Sequence, residues 1–308
     1  MLTLKTALAT YGHTRALKDG SVKPTRATLE YEEFSPQSAA FKKMVPVAEL
    51  DLVEMVMTHY LMARDHGKRF IGIPVFPVRQ FHHSAILYNV NAGIATPKDL
   101  EGKRVGVRTY GFSRSFWLRA VLARDHGVDI NRVTWVVNEP EALDEYRLPP
   151  NVEVTAGDLT KMLQTGELAA GIGVAGGGSA DIKPLIDKAA EAEAEWFRRT
   201  GVYPLSHVLV LRAELADQDP ELPLDLFQAF KQAKGHFIAH MNSGAELDAQ
   251  DRGVASLRSV VGPDPLPYGV EANRKTLEMA VQEAASQRFT SRQFTVEELF
   301  VPSTLQLT

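Results

Sequence analysis

The sequence contains no cysteine among its 308 residues. Disulfide bridges, thiolate metal ligands and a cysteine nucleophile are therefore excluded. It also contains no apolar run near the roughly 18 residues that a membrane-spanning helix requires, so no membrane partner is expected. Basic residues show no excess, since 34 lysines and arginines stand against 38 aspartates and glutamates, for a net charge of -4. That balance argues against a nucleic-acid partner.

The first residues, MLTLKTALATYGH, lack the hydrophobic core and cleavage site of a secretory signal. They alternate apolar and polar residues and predict a first strand. We therefore expect a cytoplasmic protein, or a periplasmic one if a signal peptide has been removed. The apolar fraction of 44% and the charged fraction of 23% are those of an ordinary globular chain.

Strand-like and helix-like stretches alternate along the chain. Residues 27–34 alternate like a strand, whereas residues 113–125 have the spacing of a helix. This order is typical of parallel α/β sheets. A chain of this length suits two lobes, joined by crossings near residues 90–95 and 198–204. We expect lobe 1 to comprise residues 1–92 and 202–308, lobe 2 to comprise residues 93–201, and a ligand cleft to lie between them.

Residues 71–91 read IGIPVFPVRQFHHSAILYNVN, with polar residues between two strand-like segments. A buried strand does not need Arg79, His82 and His83 in its middle, so the segment predicts an anionic ligand. The planar guanidinium of Arg79 suits a carboxylate. Neighbouring residues of a regular strand point to opposite faces. Only one of the two histidines is therefore expected to face a ligand, and the alternative for either is a structural role.

A second anion-binding corner is predicted where a strand, residues 104–107, leads through Arg108 and Tyr110 into a helix. The first N–H groups of a helix can bind an anion, and Ser113 and Arg114 would add side-chain donors. Ser113 also has an ordinary explanation, which is helix N-capping. Both alternatives stay open from the sequence alone.

Polar residues also mark the return crossing and the end of an early strand. Tyr203 and His207 lie on the segment that is predicted to return to lobe 1, where polar side chains face a cleft or a hinge. Glu54 follows an apolar strand that is predicted to end at Val53. It is either a cleft residue or an acidic residue at a helix N-terminus.

Two further motifs are weak. Residues 171–176, GIGVAG, match the dinucleotide pattern G-x-G-x-x-G, but they lie in an apparent strand without an acidic partner. His236 and His240 have the i, i+4 spacing of metal ligands, but no glutamate follows His236, and a solvated helix face is the preferred interpretation. We predict no cofactor and no metal ligand, with a divalent metal left open.

Six segments carry a specific resemblance and span most of the chain. They are residues 11–22 (YGHTRALKDGSV), 73–89 (IPVFPVRQFHHSAILYN), 97–119 (PKDLEGKRVGVRTYGFSRSFWLR), 196–207 (WFRRTGVYPLSH), 229–234 (AFKQAK) and 267–277 (PYGVEANRKTL). Together and in this order, they resemble the 4,5-dihydroxyphthalate decarboxylase family. The resemblance implies an α/β architecture of two lobes, the type II periplasmic-binding-protein-like fold.

The resemblance also implies a cofactor-independent decarboxylation of a hydroxylated aromatic carboxylate, 4,5-dihydroxyphthalate to protocatechuate. Such a reaction needs an acid for the ring carbon, partners for the hydroxyls and a cation for the carboxylate that stays. The predicted catalytic residues are His13, Glu54, His83 and His207. The predicted substrate-binding residues are Tyr11, Arg79, His82, Arg108, Tyr110, Ser113, Arg114, Trp117 and Tyr203.

The sequence departs from the family pattern at His82, which stands where an arginine is usual. The resemblance favours the next residue, His83, as the histidine that faces the ligand, and His82 as the mark of a changed substrate. The alternative function is a non-catalytic solute-binding protein of the same fold. The expected partner of the enzyme is a small aromatic carboxylate, that of the binding protein is an aromatic or other small carboxylate, and a homo-oligomer stays open.

Overall fold

The strands of the described residues form two separate sheets, and the chain divides into two units around them. The first unit comprises Met1–Gln80, Thr200–Ala285 and Thr290–Thr308, and the second comprises Phe81–Arg199 and Ser286–Phe289. The computed structural model describes residues 2–35, 37, 39–47 and 49–308, without the side chains of residues 42 and 45–47.

The strands of the described residues are spread along both units, and the last of them lies beyond residue 200. They are β1 (Leu2–Ala7), β2 (Ala27–Tyr31), β3 (Leu52–Val56), β4 (Phe70–Ile73), β5 (Ile86–Asn89), β6 (Arg104–Val107), β7 (Thr134–Val137), β8 (Val152–Val154), β9 (Ala170–Ile172), β10 (Ile182–Pro184) and β11 (His207–Arg212).

The α-helices of the described residues range from a single turn to six turns. They are α1 (Arg15–Lys18), α2 (Ala39–Val47), α3 (Met57–Asp65), α4 (Ser113–His126), α5 (Leu159–Gln164), α6 (Ala189–Thr200), α7 (Ala213–Gln218), α8 (Leu222–Asn242), α9 (Ala249–Ser256), α10 (Arg258–Val261) and α11 (Arg274–Ser286). No helix of the described residues is long and apolar enough to cross a membrane.

The sheet of the first unit has the strand order β2-β1-β3-β11-β4 in the described residues. Strands β1, β2 and β3 are parallel, whereas β11 is antiparallel to both β3 and β4. The prediction of parallel sheets is therefore wrong for this strand. The physical reason is that β11 enters the sheet at the edge where β3 ends, with His207 opposite Val56.

The sheet of the second unit has the order β10-β5-β9-β6-β7-β8 in the described residues. Strands β9, β6, β7 and β8 are parallel, and β5 is antiparallel to β9 and β10. The hydrogen bonds of β5 place residues 81–92 in the second unit, although we expected them in lobe 1. The short segment Ser286–Phe289 also belongs to the second unit.

Helix α8 supplies much of the apolar core of the first unit. Its residues Leu226, Phe227, Phe230 and Phe237 recur at helical spacing and are buried. Leu226, Phe227 and Phe230 join a core cluster with residues of β1 and β11, such as Leu4. Full burial of one phenylalanine side chain stabilises a fold by about 1.5–3 kcal/mol. This helix therefore forms a rigid support for the loops beside it.

Two local predictions are corrected by the backbone. Glu54 lies within strand β3, not at the start of a helix, because β3 continues to Val56 before α3 begins. His82 and His83 do not lie on a regular strand, since a short 3-10 helix spans His83–Ala85. The alternation argument for the two histidines therefore does not apply, and both side chains are buried.

Candidate active site

One edge of the first unit's sheet collects polar residues from three chain segments. Strands β1 and β3 are parallel, so their carboxyl ends meet at this edge. Tyr11 and His13 follow β1, Glu54 lies near the end of β3, and His207 begins β11 directly opposite Val56. The topology thus brings four of the predicted site residues to one place within the first unit.

The centre of this group is the carboxylate of Glu54, which is fully buried. Its Oε1 accepts a hydrogen bond from the Tyr11 hydroxyl at 2.5 Å and lies 2.7 Å from His207 Nδ1. Its Oε2 accepts the Ala9 N–H at 3.0 Å. Burial opposes ionisation of Glu54, but the bonds from His207, Tyr11 and Ala9 outweigh it and lower its pKa. Glu54 is therefore a buried carboxylate that stays charged.

The two side chains that bind Glu54 have different exposure and different chemistry. Burial and the neighbouring Glu54 charge raise the pKa of Tyr11 far above its usual value, so Tyr11 stays a protonated donor. The His207 side chain retains 16% exposure, and the edge of its ring contacts Phe41, with the ring centroids 6.2 Å apart. Because Nδ1 is held by Glu54, Nε2 is the nitrogen of His207 that can meet a ligand.

His13 lies beside this pair but has a different environment. Its ring stacks on Tyr11 with centroids 5.2 Å apart, and it also contacts Phe237 of α8 at 6.0 Å. Burial lowers the pKa of His13 to about 4, although Glu54 and a hydrogen bond with the Pro77 backbone oppose the change. Its Nε2 has no hydrogen-bond partner among the described residues. His13 is therefore a neutral, buried hydrogen-bonding group near pH 7.

A glycine allows the loop of Tyr11 and His13 to lie this close to its neighbours. A Cβ placed on Gly12 would be 2.4 Å from Asp251 Oδ1 and 2.4 Å from Cε2 of Phe237. Side-chain carbons do not approach one another so closely. Only glycine fits between Tyr11 and His13 without moving α8 or Asp251.

Three neighbouring residues, Lys234, Asp264 and Tyr268, were not among the predicted site residues. Lys234 Nζ lies 2.7 Å from Asp264 Oδ2, donates to the Leu266 carbonyl at 3.0 Å and stands 4.5 Å from the centre of the Tyr268 ring. Tyr268 is 3% exposed. Lys234 and Tyr268 do lie in segments that carry the family resemblance, 229–234 and 267–277, and this was the available signal.

Arg79 is buried and largely committed to the protein itself. Its Nη1 donates to Asn273 Oδ1 at 2.5 Å and to the Pro267 carbonyl at 3.3 Å, and its Nη2 donates to the Tyr203 carbonyl at 2.6 Å. The guanidinium also stacks on the Tyr203 ring at 4.2 Å. Burial lowers the pKa of Arg79 to about 10. Three of its five N–H groups are thus used within the protein, so Arg79 mainly anchors Tyr203 and residues 267–273.

The predicted corner after β6 belongs to the second unit and is partly filled. Phe112, without a side-chain hydrogen bond, is the N-cap of α4, and Ser113 is its first helical residue. The N-cap interpretation of Ser113 is therefore wrong. The Tyr110 hydroxyl donates to the Gln287 carbonyl at 3.2 Å, and Trp117 is 1% exposed. In this corner, Arg114 is exposed and is the residue most open to a ligand.

Arg108 and the two adjacent histidines complete the predicted residues of the second unit. Arg108 lies 3.8 Å from Glu139 and over the Phe112 ring. The pKa of His82 is lowered to about 3 by burial and by the charges of Arg114 and His83. Burial likewise lowers the pKa of His83 to about 4.

The surroundings of His83 are those of a packed interior. Its ring contacts Trp196 of α6 at 6.1 Å, and its backbone N–H donates to Glu193 Oε1 at 3.1 Å. Both ring nitrogens lack a hydrogen-bond partner among the described residues. A neutral histidine in this position is a poor general acid at pH 7. No group of three metal-ligating side chains was found in the part of the chain that the structure describes.

Comparison with solved structures identifies the class of fold. The chain resembles the periplasmic aliphatic sulphonate-binding protein SsuA of Escherichia coli, with a TM-score of 0.58 and 15% identity over 99% of both chains. The protein therefore has the two-lobe α/β fold of periplasmic binding proteins, which confirms the predicted fold class. Its sheets are mixed rather than parallel, as described above.

Sequence comparison identifies the family. A profile described as "NMT1/THI5 like" matches residues 36–240. A 4,5-dihydroxyphthalate decarboxylase of Comamonas testosteroni is 27% identical, with 99% of this chain and 98% of the relative covered. Another from Pseudomonas putida is 33% identical over 56% of this chain and 70% of the relative. The chain belongs to the NMT1/THI5-like family and to the 4,5-dihydroxyphthalate decarboxylase family, which confirms the resemblance.

Proposed function

We propose that this protein is a carbon–carbon lyase that decarboxylates 4,5-dihydroxyphthalate to protocatechuate. The observation that carries the proposal is the buried Glu54 carboxylate, bonded at once to the Tyr11 hydroxyl and His207 Nδ1. A histidine oriented by a carboxylate is a recurrent acid–base device in enzymes. The names of the two relatives support the same activity.

The proposed reaction requires one proton and no change of oxidation state of the protein. The ring carbon that bears the departing carboxylate gains a proton, assisted by electron density from the hydroxyl para to it. The carbon–carbon bond then breaks, its electron pair returns to the ring, and CO2 leaves. Because no electrons pass to another molecule, the reaction needs no redox cofactor.

We assign the proton donor to His207. Its Nε2 delivers the proton to the ring carbon, while Glu54 fixes the orientation of the imidazole and balances its positive charge. Tyr11 holds Glu54 in place through its hydroxyl. The partial exposure of His207 lets solvent restore the proton after each cycle. His13 and His83 are weaker candidates for the acid, because burial lowers both pKa values to about 4.

For the substrate carboxylates we propose arginine side chains. Arg114 is exposed and Arg108 is half-buried in the second unit, and a guanidinium suits a carboxylate through paired donors. In the first unit, Arg79 Nε has no hydrogen-bond partner among the described residues. His82 and Tyr203 stay proposed neighbours of the substrate, and cytoplasmic location and homo-oligomerisation stay predictions.

The direct test is to incubate the protein with 4,5-dihydroxyphthalate and to follow CO2 release beside a thermal-shift measurement of binding. We expect CO2 release from the wild type. We expect His207→Gln to lower kcat by roughly 10²–10⁴-fold, the usual contribution of a general acid, and to retain binding. His240→Gln is the matched control, since His240 is exposed on α8, and it should keep the wild-type rate.

The outcomes separate the functions. Binding of 4,5-dihydroxyphthalate without CO2 release would favour the alternative, a non-catalytic solute-binding protein. Full decarboxylation by His207→Gln would disprove the assignment of His207 as the acid. In that case the same assay on His83→Ala and His13→Gln would decide between the remaining histidines.

A further inference from the structure

The phenol of Tyr268 is a buried polar group that the proposed mechanism does not use. Tyr268 is 3% exposed, and its hydroxyl has no hydrogen-bond partner among the described residues. The ring itself is held firmly, with Phe227 at 6.5 Å and the Lys234 ammonium at 4.5 Å from its centre. Leaving a buried hydroxyl without a partner is costly, so this hydroxyl is suited to meet a ligand.

The position of Tyr268 is fixed at the same edge of the sheet as Glu54. The next residue, Gly269, donates its N–H to the Pro74 carbonyl at 2.8 Å, and Pro74 directly follows β4. His13 is hydrogen-bonded to the backbone of Pro77 in the same segment. The backbone beside Tyr268 and the ring of His13 are therefore both bonded to residues 74–77.

Helix α8 provides a second link between Tyr268 and His13. Lys234 and Phe237 are three residues apart, so they are neighbours on one face of the helix. Lys234 contacts the Tyr268 ring and Phe237 contacts the His13 ring. The pKa of Tyr268 is raised by burial, by Asp264 and by Glu54, and the Glu54 and Asp264 charges also act on His13. Tyr268 and His13 thus pack against neighbouring residues of α8, and the same two carboxylates act on both.

The charges around these two groups indicate the kind of ligand that they would accept. His13 and Tyr268 are neutral near pH 7. The carboxylates of Glu54 and Asp264 beside them are accompanied by cations such as Lys234, which is bonded to Asp264. Neutral hydrogen-bonding groups of this kind suit the hydroxyls of a ligand, which can both donate and accept a hydrogen bond.

We propose that Tyr268 and His13 form a hydroxyl-recognition subsite that selects an aromatic ring with two adjacent hydroxyls. The Tyr268 phenol and His13 Nε2 would each hydrogen-bond to a ring hydroxyl. This inference rests on the proposed function and deepens it, because it names the feature of the substrate that the first unit recognises. Tyr268 is in this sense a specificity-determining residue.

The test combines removal of the Tyr268 hydroxyl with removal of one substrate hydroxyl. Wild type and Tyr268→Phe are assayed with 4,5-dihydroxyphthalate and with 4-hydroxyphthalate, which keeps a hydroxyl para to one carboxylate. We expect Tyr268→Phe to raise KM about 10-fold for the dihydroxy substrate, the worth of one good hydrogen bond. For the monohydroxy substrate we expect a change within about twofold.

The matched control is Tyr31→Phe. Tyr31 is in the same unit, and its buried hydroxyl also lacks a hydrogen-bond partner among the described residues, but Glu33 rather than Glu54 is the charge that acts on it. This variant should change neither KM. An equal loss with both substrates in Tyr268→Phe, or an equal loss in Tyr31→Phe, would overturn the subsite.

A second measurement tests hydroxyl binding independently of decarboxylation. Catechol and phenol carry no carboxylate, so their binding by NMR titration reports on hydroxyl recognition even if no CO2 is released. We expect the wild type to bind catechol more tightly than phenol, and Tyr268→Phe to lose most of that difference while its melting temperature is unchanged. Equal binding of catechol and phenol by the wild type would overturn the inference. If the wild type preferred catechol but released no CO2, only the decarboxylase proposal would be overturned.

Discussion

At the scale of single residues, the decisive feature is that Glu54 is charged although it is fully buried. An isolated carboxylate in such a position would bind a proton, because burial penalises the charged form. Three hydrogen bonds, from His207, Tyr11 and the Ala9 N–H, reverse that preference. Glu54 therefore acts as a fixed negative charge, and its two side-chain donors are held in set orientations.

Glu54→Gln tests this arrangement. The variant keeps the shape of the side chain but removes the charge, and its amide N–H₂ can donate to His207 Nδ1 and impose the wrong tautomer. We expect kcat for 4,5-dihydroxyphthalate to fall by roughly 10²–10⁴-fold with little change in binding. The rate of CO2 release gives kcat, and thermal-shift titration with the substrate gives the binding affinity.

The double variant Glu54→Gln/His207→Gln provides the control. Residues that act as one catalytic unit are strongly non-additive. We therefore expect the double variant to be about as slow as the slower single variant. If the two losses multiplied instead, Glu54 and His207 would act separately and the pair would not be the catalytic unit.

At the scale of elements, helix α4 is tied to its surroundings by the fully buried Arg119. Arg119 Nε donates to Gln287 Oε1 at 2.7 Å, and Nη2 donates to the Tyr110 carbonyl at 2.8 Å. The guanidinium also stacks on the Tyr110 ring at 4.0 Å. One side chain thus connects α4, the loop after β6 and the segment Ser286–Phe289 within the second unit.

Arg119→Lys should be strongly destabilising although it keeps the charge. A lysine has neither the planar fork for two partners nor a flat face for the Tyr110 ring. Loss of one or two hydrogen bonds, with buried partners left unsatisfied, predicts a loss of about 2–4 kcal/mol in the free energy of unfolding. Urea denaturation followed by tryptophan fluorescence measures this change.

Arg114→Lys is the matched control on the same helix, because Arg114 is exposed. Surface substitutions of this kind usually change stability by no more than about 0.5 kcal/mol. If Arg119→Lys were as mild as Arg114→Lys, Arg119 would not be the residue that holds these three segments together.

At the scale of the whole molecule, each unit contains buried histidines that are neutral when folded. Burial lowers the pKa of His13 to about 4 in the first unit and that of His82 and His83 to about 3 and about 4 in the second. In the unfolded chain each takes up a proton near its ordinary pKa of about 6.5. Between these values the unfolded state binds more protons than the folded state.

The free energy of unfolding should therefore have its full value above about pH 6.5 and should decline as the pH falls from there toward about 4. For His13 alone the difference between the two pKa values corresponds to at most about 3.4 kcal/mol. Melting temperatures measured between pH 7.5 and pH 5.0 test the prediction in a range where ordinary carboxylates stay charged.

His13→Gln should make that decline shallower, because it removes one of the groups that takes up a proton on unfolding. His240→Gln should leave it unchanged, since His240 is exposed. A melting temperature independent of pH over this range, or the same slope in the wild type and His13→Gln, would contradict the linkage.

Much of the fold and part of the site could be predicted from local patterns. The helix spacing of residues 113–125 predicted α4 to within one residue. Tyr11, His13, Glu54 and His207 were each recognisable as polar residues beside strand ends or on a crossing. Their common location could not be read locally, because β1, β3 and β11 are adjacent only through hydrogen bonds between distant parts of the chain.

By itself, the sequence determined the α/β class, the family and the residue types that are available for chemistry. These depend on composition, on short-range periodicity and on short sequence motifs. Only the tertiary structure decided what those residues do. It placed Glu54 inside a strand, Arg79 against Tyr203, and His83 in a packed interior. The physical reason is that burial and distant hydrogen-bond partners set the charge and orientation of a side chain, and both arise only when remote segments pack together.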